Sequence, residues 1–302
     1  MSGERRGTYD EDELILTLAL YKTTDKRDIS SSNPSVIRLS GFLEAVHSGP
    51  NGLGRSPGSI KMKMNNFLAL DPDYHGTGCA NVGSGDAEVW NSFYDKNFKG
   101  LAEEAIKVER RLAKERSTIP HLFESKAAAD PGLKDDVRTY LEITNIERRI
   151  FHNRILGTYN GKCCITGMAE RPVILAKHIK PLWMSEGIPE ERLDPSNGLC
   201  LNSFHADAFE KGLFTIDDGM RVEVSPAVIK EEQRKRTTLT DWLCSYDGWA
   251  ISPPHSHMPD SAYLEYHRDF VYADTSEKLR KVRSERRPIG KIHGPATGDN
   301  TI

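Results

Sequence analysis

Three polar side chains in the second half of the chain have the types needed to hydrolyse a phosphodiester. They are His178 in "AKHIKP", Asn197 in "PSNGLCL" and His205 in "NSFHADAFEKG". A neutral imidazole can take the proton from an attacking water. A side-chain amide can hold the loop that points this base at the water, and a divalent metal can stabilise the developing charge. The three residues therefore predict a hydrolytic site that uses one divalent metal.

The elements around these residues are expected to bring them together. "ERPVILAKHIKP" alternates as a strand with His178 at its end, and "GLCL" is a short second strand that Asn197 opens. "LWMSEGIPEERLDPSN" between them is a loop with two prolines. "NSFHADAFEKG" predicts a short helix that Ser203 caps and that stops at Gly212, and "LFTID" predicts a third strand. A β-hairpin packed on a helix would gather His178, Asn197 and His205 around one cleft.

The segments "YNGKCCITG", "ILAKHIKP" and "ERLDPSNGLCLNSFHADAFEKGLFTID" follow one another in an order that resembles the HNH nucleases of the ββα-metal superfamily. The resemblance spans roughly residues 140 to 270, because "YLEYHRDFVY" is similar to the closing helix of the branch found in bacterial restriction endonucleases. It implies that His178 is the general base, that Asn197 organises the loop and that His205 holds the metal. The implied metal is Mg²⁺, with Mn²⁺ or Ni²⁺ able to substitute, since one imidazole with oxygen ligands suits such ions. The implied substrate is double-stranded DNA.

The residue before the expected base departs from the commonest pattern of that family. Many members have Asp, Glu or His there as a second metal ligand, whereas this chain has Lys177. Lys177 is expected to point away from His178 on its strand and to contact a DNA phosphate, and Lys180 is a second expected DNA contact. The lysine also leaves open a degenerate nuclease fold that binds DNA without cutting it. Carboxylates that could complete the metal site with His205 are Asp194, Asp207 and Glu210.

The spacing of the cysteines argues against the structural zinc that many HNH proteins hold. Such sites use two CxxC pairs, but Cys163 and Cys164 are adjacent and Cys200 has no second cysteine near it. We therefore expect no structural zinc, and we expect Cys164 and Cys200 to be small buried residues. Five cysteines in total, an odd number, favour reduced thiols in the cytoplasm over a disulfide framework.

The first hundred residues predict short helices with clear start signals. "DEDELILTLALYKT" has apolar residues at helical spacing, Asn33 and Ser56 are expected caps, and Pro34 and Pro57 suit the first turns that follow. The helix that Pro57 opens buries one apolar face and turns a polar face outward, as in a helix-turn-helix reader. A solvated helix face is the alternative interpretation. The expected DNA contacts on this face are Lys61, Lys63, Asn65 and Asn66.

The order of the parts suggests a reader joined to a nuclease. "SSNPSVIRLSGFL", "RSPGSIKMKMNNFLALDP" and "VWNSFYD" resemble the amino-terminal modules of modification-dependent restriction enzymes, which cut DNA carrying methylated or hydroxymethylated cytosine. The predicted class is α+β: a mainly helical DNA-recognition domain over residues 1–125, an HNH nuclease domain with flanking helices over 126–285, and a disordered tail over 286–302. "AEEAIKVERRLAKERS" (102–117) is interpreted as a solvated connecting helix.

Composition limits the remaining possibilities. The net charge of −3 means that DNA contacts must come from local clusters of basic residues such as "KHIK". No apolar run is long enough to span a membrane and no secretory signal is evident, so a cytoplasmic protein is expected. Cutting both strands with one centre per chain predicts a homodimer. Three functions remain open: a modification-dependent restriction enzyme, an ordinary sequence-specific restriction nuclease, and a non-catalytic DNA-binding protein.

Overall fold

The computed structural model of the chain describes most of the protein, with gaps at the N-terminus, at several internal segments and after residue 272. The tail predicted over 286–302 lies outside the described residues. The described residues are 8–46, 54–74, 76, 79, 82–114, 122–123, 134–181 and 189–272.

Five α-helices form the described residues of the first part of the chain, with α1 at the centre. Nearly every residue of α1 is buried, because α2, α3, α4 and α5 all contact it. This explains the sequence "LILTLALY", which is apolar on all sides rather than on one stripe. The helices are α1 (Glu11–Thr23), α2 (Pro34–Val46), α3 (Pro57–Leu70), α4 (Ser84–Tyr94) and α5 (Leu101–Lys114).

The predicted helix starts are confirmed. The Asn33 side chain accepts a hydrogen bond from the backbone N–H of Ser35 at 2.8 Å, at the start of α2. The Ser56 side chain accepts one from the N–H of Ser59 at 3.3 Å, at the start of α3. These caps need only neighbouring residues to form, since each side chain satisfies an N–H of the first turn that has no helical partner.

The interpretation of α5 as a solvated connector is wrong. Leu101, Ala105, Ile106 and Val108 are buried, and α5 packs along α1. The apolar residues recur at helical spacing on one face, while the many charged residues occupy the other. The high charge of the segment concealed this face in the sequence.

Helix α6 (Asp135–Thr158) joins the helical part to the rest of the chain. The Arg149 guanidinium donates to the Thr23 carbonyl at 2.6 Å, and the Asn153 amide donates to the Lys22 carbonyl at 2.9 Å. Both bonds satisfy carbonyls at the C-terminal end of α1, which have no partner within that helix. The boundary expected near residue 125 falls between α5 and α6, where the structure describes only 122–123, and it stays a prediction.

A β-hairpin and a helix follow, as predicted. Strand β1 (Ile174–His178) pairs antiparallel with β2 (Gly198–Asn202), with Ile174 opposite Asn202 and His178 opposite Gly198. Helix α8 (Ser203–Glu210) follows β2 directly and ends before Gly212, which has a φ of +67°. Asn202 caps it, because the Asn202 Oδ1 accepts from the His205 N–H at 2.9 Å, so the expected cap at Ser203 is wrong by one residue.

Further short elements lie between the strands of this hairpin and after α8. A helix, α7 (Pro189–Leu193), and a 3₁₀ turn (Pro195–Asn197) lie between the strands of the hairpin. Within the described ranges, none of the helices combines the length and apolar character needed to cross a membrane. The remaining elements are β3 (Phe214–Ile216), β4 (Val222–Val224), α9 (Pro226–Arg234), α10 (Thr238–Cys244) and α11 (Ser261–Phe270).

Candidate active site

His178 is held in one orientation at the end of β1. Its Nε2 lies 3.0 Å from the carbonyl oxygen of Arg192 on α7. A carbonyl can only accept, so Nε2 carries the proton and donates it, which leaves Nδ1 with a free lone pair. The ring also stacks on Phe151 of α6, with 3.6 Å between centroids and an angle of 12° between planes. The geometry therefore presents Nδ1 as the basic atom.

The surroundings of His178 favour its neutral form. Partial burial lowers the pKa of His178 to about 4, and the Arg192 carbonyl offsets only part of this effect. The positive charges of Arg148 and Lys177 lower the pKa further. At neutral pH the imidazole is uncharged and able to accept a proton.

Asn197 fixes the loop that orients His178. It is fully buried as the last residue of the 3₁₀ turn, one position before β2 rather than within it. Its Oδ1 accepts from the Lys180 N–H at 2.8 Å, and its Nδ2 donates to the Glu191 carbonyl at 3.1 Å. The next carbonyl along the chain is that of Arg192, which binds His178. This placement is consistent with the expected role of Asn197 as organiser of the loop.

A cavity of about 310 Å³ opens beside His178. One wall comes from α6, a second from β1, and a third from the ends of α8 and α11. Within the part of the chain that the structure describes, its polar and charged lining consists of Arg148, His152, Lys177, His178, Glu210 and His267.

His205 is not part of this cavity. It is fully buried, and its ring packs against Trp242, Tyr246 and Phe214, at centroid distances of 4.8, 5.2 and 5.9 Å. Its Nδ1 lies 3.0 Å from the Asn202 Nδ2, and its buried Nε2 has no hydrogen-bond partner among the described residues. Burial lowers the pKa of His205 to about 4.

The expectation that His178 and His205 line one cleft is therefore not met. Asn202 lies opposite Ile174, at the far end of the hairpin from His178, and His205 follows three residues later. Helix α8 then runs back along the hairpin, so that its last turn, and not its first, lines the cavity with His178. The direction of the helix could not be inferred from spacing alone. The assignment of the metal to His205 stays a prediction, and the position of its ring does not favour it.

Of the three candidate carboxylates, Glu210 is the one that lines the cavity with His178. Asp194 accepts from the Ser196 N–H at 2.8 Å and from the Tyr263 hydroxyl at 3.1 Å, and Asp207 is exposed away from the cavity. The described residues contain no group of three or more His, Cys, Asp or Glu side chains placed to hold a metal. Glu210 is the described carboxylate that could hold a divalent cation in this cavity, with water as the remaining ligands.

The two lysines expected to contact DNA near the base are both paired with acids. Lys177 lines the cavity beside His178 instead of pointing away from it, and its ammonium is 2.5 Å from a Glu210 carboxylate oxygen. The Lys180 ammonium lies 2.6 Å from Glu191. Neither lysine offers an uncompensated charge to a phosphate in this structure.

The four residues of α3 that were expected to contact DNA fall into two pairs with different surroundings. Lys63 lies 2.7 Å from the buried carboxylate of Asp86, and Asn66 donates to the same carboxylate at 2.6 Å. These two side chains therefore bind α4 rather than facing outward, contrary to expectation. Lys61 and Asn65 are half-buried, and no side-chain hydrogen bond joins either to another described residue.

The other residues of interest behave as small buried groups or as structural links. Cys164 and Cys200 are buried, and burial raises the pKa of the Cys200 thiol to about 12. Both ring nitrogens of His267 have partners, Thr215 Oγ1 at 2.9 Å and the Phe209 carbonyl at 3.0 Å. Arg148 was missed, although it lies three residues before Phe151 and so on the same face of α6.

Comparison with known families is consistent with this reading of the hairpin and helix. Residues 163–217 match the family model described as HNH endonuclease. The match contains β1, β2, α8 and β3, and therefore His178, Asn197 and His205. No curated protein matches the chain. The structure thus consists of a helical N-terminal region followed by an HNH domain at 163–217 with flanking helices.

Proposed function

We propose that the protein is a metal-dependent DNA endonuclease in which His178 is the general base. The observation that carries this proposal is the neutral imidazole with a free Nδ1, oriented by the Arg192 carbonyl inside a segment that matches HNH endonucleases. The cavity beside it has room for a phosphodiester group.

In the proposed reaction, Nδ1 of His178 takes a proton from a water as the water oxygen attacks phosphorus. A new P–O bond forms, and the bond to the 3′ oxygen breaks, giving a 5′-phosphate and a 3′-hydroxyl. The proton on His178 passes to solvent, and the 3′ oxygen is protonated from water. Asn197 keeps the Arg192 carbonyl in place, so that the imidazole does not rotate. A divalent cation bound at Glu210 would supply positive charge for the phosphate and the leaving oxygen.

Substitution of the base tests this function directly. His178→Ala is expected to abolish Mg²⁺-dependent cutting of plasmid DNA, with loss of at least about 10²-fold for a general base. Binding of duplex DNA by the variant should survive, which separates loss of chemistry from loss of fold. Unchanged cutting by His178→Ala would remove the proposed mechanism.

We further propose that cleavage depends on modified cytosine. The support is the resemblance of the helical part to readers of modified DNA, with Lys61 and Asn65 as the contacts on α3 that remain unpaired among the described residues. Plasmids that differ only in cytosine methylation or hydroxymethylation test this, in parallel reactions with Mg²⁺ or Mn²⁺. Equal cutting of both would favour an ordinary sequence-specific restriction nuclease instead.

A non-catalytic DNA-binding protein is the alternative from another class. The pairing of Lys177 with Glu210 favours it, because the ammonium occupies the carboxylate that would hold a metal. This alternative predicts tight DNA binding without cleavage under any metal or DNA modification, whereas the nuclease predicts cutting that stops when EDTA removes the metal.

The proposed nuclease acts as a homodimer in the cytoplasm. A single centre cuts one strand, and two copies related by a two-fold axis match the symmetry of duplex DNA. Sedimentation of the protein with its DNA should give the mass of two chains, and a monomer on cleavable DNA would contradict this.

A further inference from the structure

Arg148 stands out among the charged residues around the cavity because its charge is not compensated. Its side chain is exposed on α6 at the wall beside His178. Among the residues that the structure describes, none forms a hydrogen bond or an ion pair with it. Lys177, the other permanent cation of the lining, is paired with Glu210.

Two observations place this guanidinium close to the base. Arg148 lies three residues before Phe151 on α6, so the Arg148 and Phe151 side chains share one face of that helix. The His178 ring stacks on the Phe151 ring. The positive charge of Arg148 also contributes to the lowered pKa of His178, which requires that the two groups be within electrostatic range. A phosphate that enters the cavity to meet Nδ1 must therefore approach Arg148.

We propose that Arg148 binds the scissile phosphate and stabilises the negative charge that develops on its non-bridging oxygens. The planar guanidinium can donate two parallel hydrogen bonds to two oxygens of one phosphate, which an ammonium cannot do. Because none of the described residues forms an ion pair with it, it loses no such pair when DNA binds. The inference rests on the proposed nuclease function and adds to it the side chain that binds the negatively charged scissile phosphate.

Single-turnover cleavage of duplex DNA with Mg²⁺ tests the proposal. Arg148→Ala is expected to lower the rate by about 10²- to 10³-fold, as for removal of one donor to a transition-state oxyanion. Arg148→Lys keeps the positive charge but lacks the two parallel donors of the guanidinium, and it should recover only part of this loss. Lys162→Ala removes the same charge from an exposed site outside the cavity and should cut at the parental rate.

Two further readouts separate phosphate binding from a structural effect. In the non-cutting His178→Ala background, Arg148→Ala should reduce the slope of log affinity against log salt by about 1, because one phosphate contact is lost. With His178 intact, Arg148→Ala should also shift the acid limb of the pH–rate profile to higher pH, because the variant lacks a cation that lowers the pKa of His178. Lys162→Ala should do neither.

The outcomes distinguish this inference from the function on which it rests. If the parental protein cuts DNA and Arg148→Ala cuts equally fast with an unchanged salt slope, the role of Arg148 is overturned and the nuclease function stands. If the parental protein cuts no DNA with any metal or modification, both are overturned.

Discussion

The ammonium of Lys177 lies against the carboxylate of Glu210, across the strand β1 and the last turn of α8, in the wall of the cavity that contains His178. The pair is partly exposed to solvent, so it contributes little to stability. Its importance is chemical, because Glu210 is the carboxylate that lines the cavity with His178 among the described residues. A metal at this position must compete with an ammonium that the protein itself supplies.

Lys177→Met should therefore strengthen metal binding. Removal of a positive charge that contacts the same carboxylate relieves at least ~1 kcal/mol of repulsion, which corresponds to a roughly fivefold or greater gain in affinity. Titration calorimetry with Mn²⁺, and the Mg²⁺ concentration that gives half the maximal cleavage rate, measure this gain. Glu210→Gln is the matched variant and should weaken binding. A metal requirement that stays the same in both variants would show that the cation binds elsewhere.

Replacement of Asn197 should damage both stability and catalysis. Asn197→Ala leaves the backbone groups of Lys180 and Glu191 without partners in a buried site, at a cost of about 1–3 kcal/mol. Release of the loop also displaces the Arg192 carbonyl from His178, and a shift of about 1 Å can lower a rate by about 10²-fold. Urea unfolding and single-turnover rates measure the two effects.

The tautomer of His178 shows whether Asn197→Ala acts by releasing the loop that orients the imidazole. Nitrogen NMR of the imidazole should report a proton fixed on Nε2 in the parental protein and a mixture of tautomers in Asn197→Ala. A variant that keeps both the fixed tautomer and the parental rate would show that the loop does not need this amide.

The sequence predicted those features that depend on neighbouring residues. The caps at Asn33 and Ser56 and the strand that ends at His178 need only a few adjacent positions, and the structure has all of them. The partners of the lysines could not be predicted in this way. Asp86 is 23 residues from Lys63, and Glu210 is 33 residues from Lys177, so each pair depends on how whole helices pack. The position of His205 away from the cavity of His178 could not be predicted for the same reason.

Stability should fall as the pH drops from 7 to 5. Burial lowers the pKa of His205 and of His267 from 6.5 to about 4, so the unfolded chain takes up protons before the folded one does. The stabilisation is complete above pH 6.5 and is lost progressively below it, by roughly 2 kcal/mol for each histidine at pH 5. Urea midpoints at pH 7, 6 and 5 measure this loss, and a midpoint that does not change over this range would contradict it.

His205 allows the clearest separation between a structural residue and a metal ligand. Its ring fills a space between Trp242, Tyr246 and Phe214, and its Nε2 does not reach the cavity. His205→Ala should therefore create a hole in the core and cost roughly 3 kcal/mol of unfolding free energy, as for other large-to-alanine substitutions. The Mg²⁺ concentration for half-maximal cutting should stay at the parental value when measured at a temperature where the variant is folded. His205→Leu fills part of the space and should recover stability without changing the metal requirement. A strong rise in the metal requirement in both variants would instead identify His205 as a ligand, and α10 with Trp242 would then have to move before the ion binds.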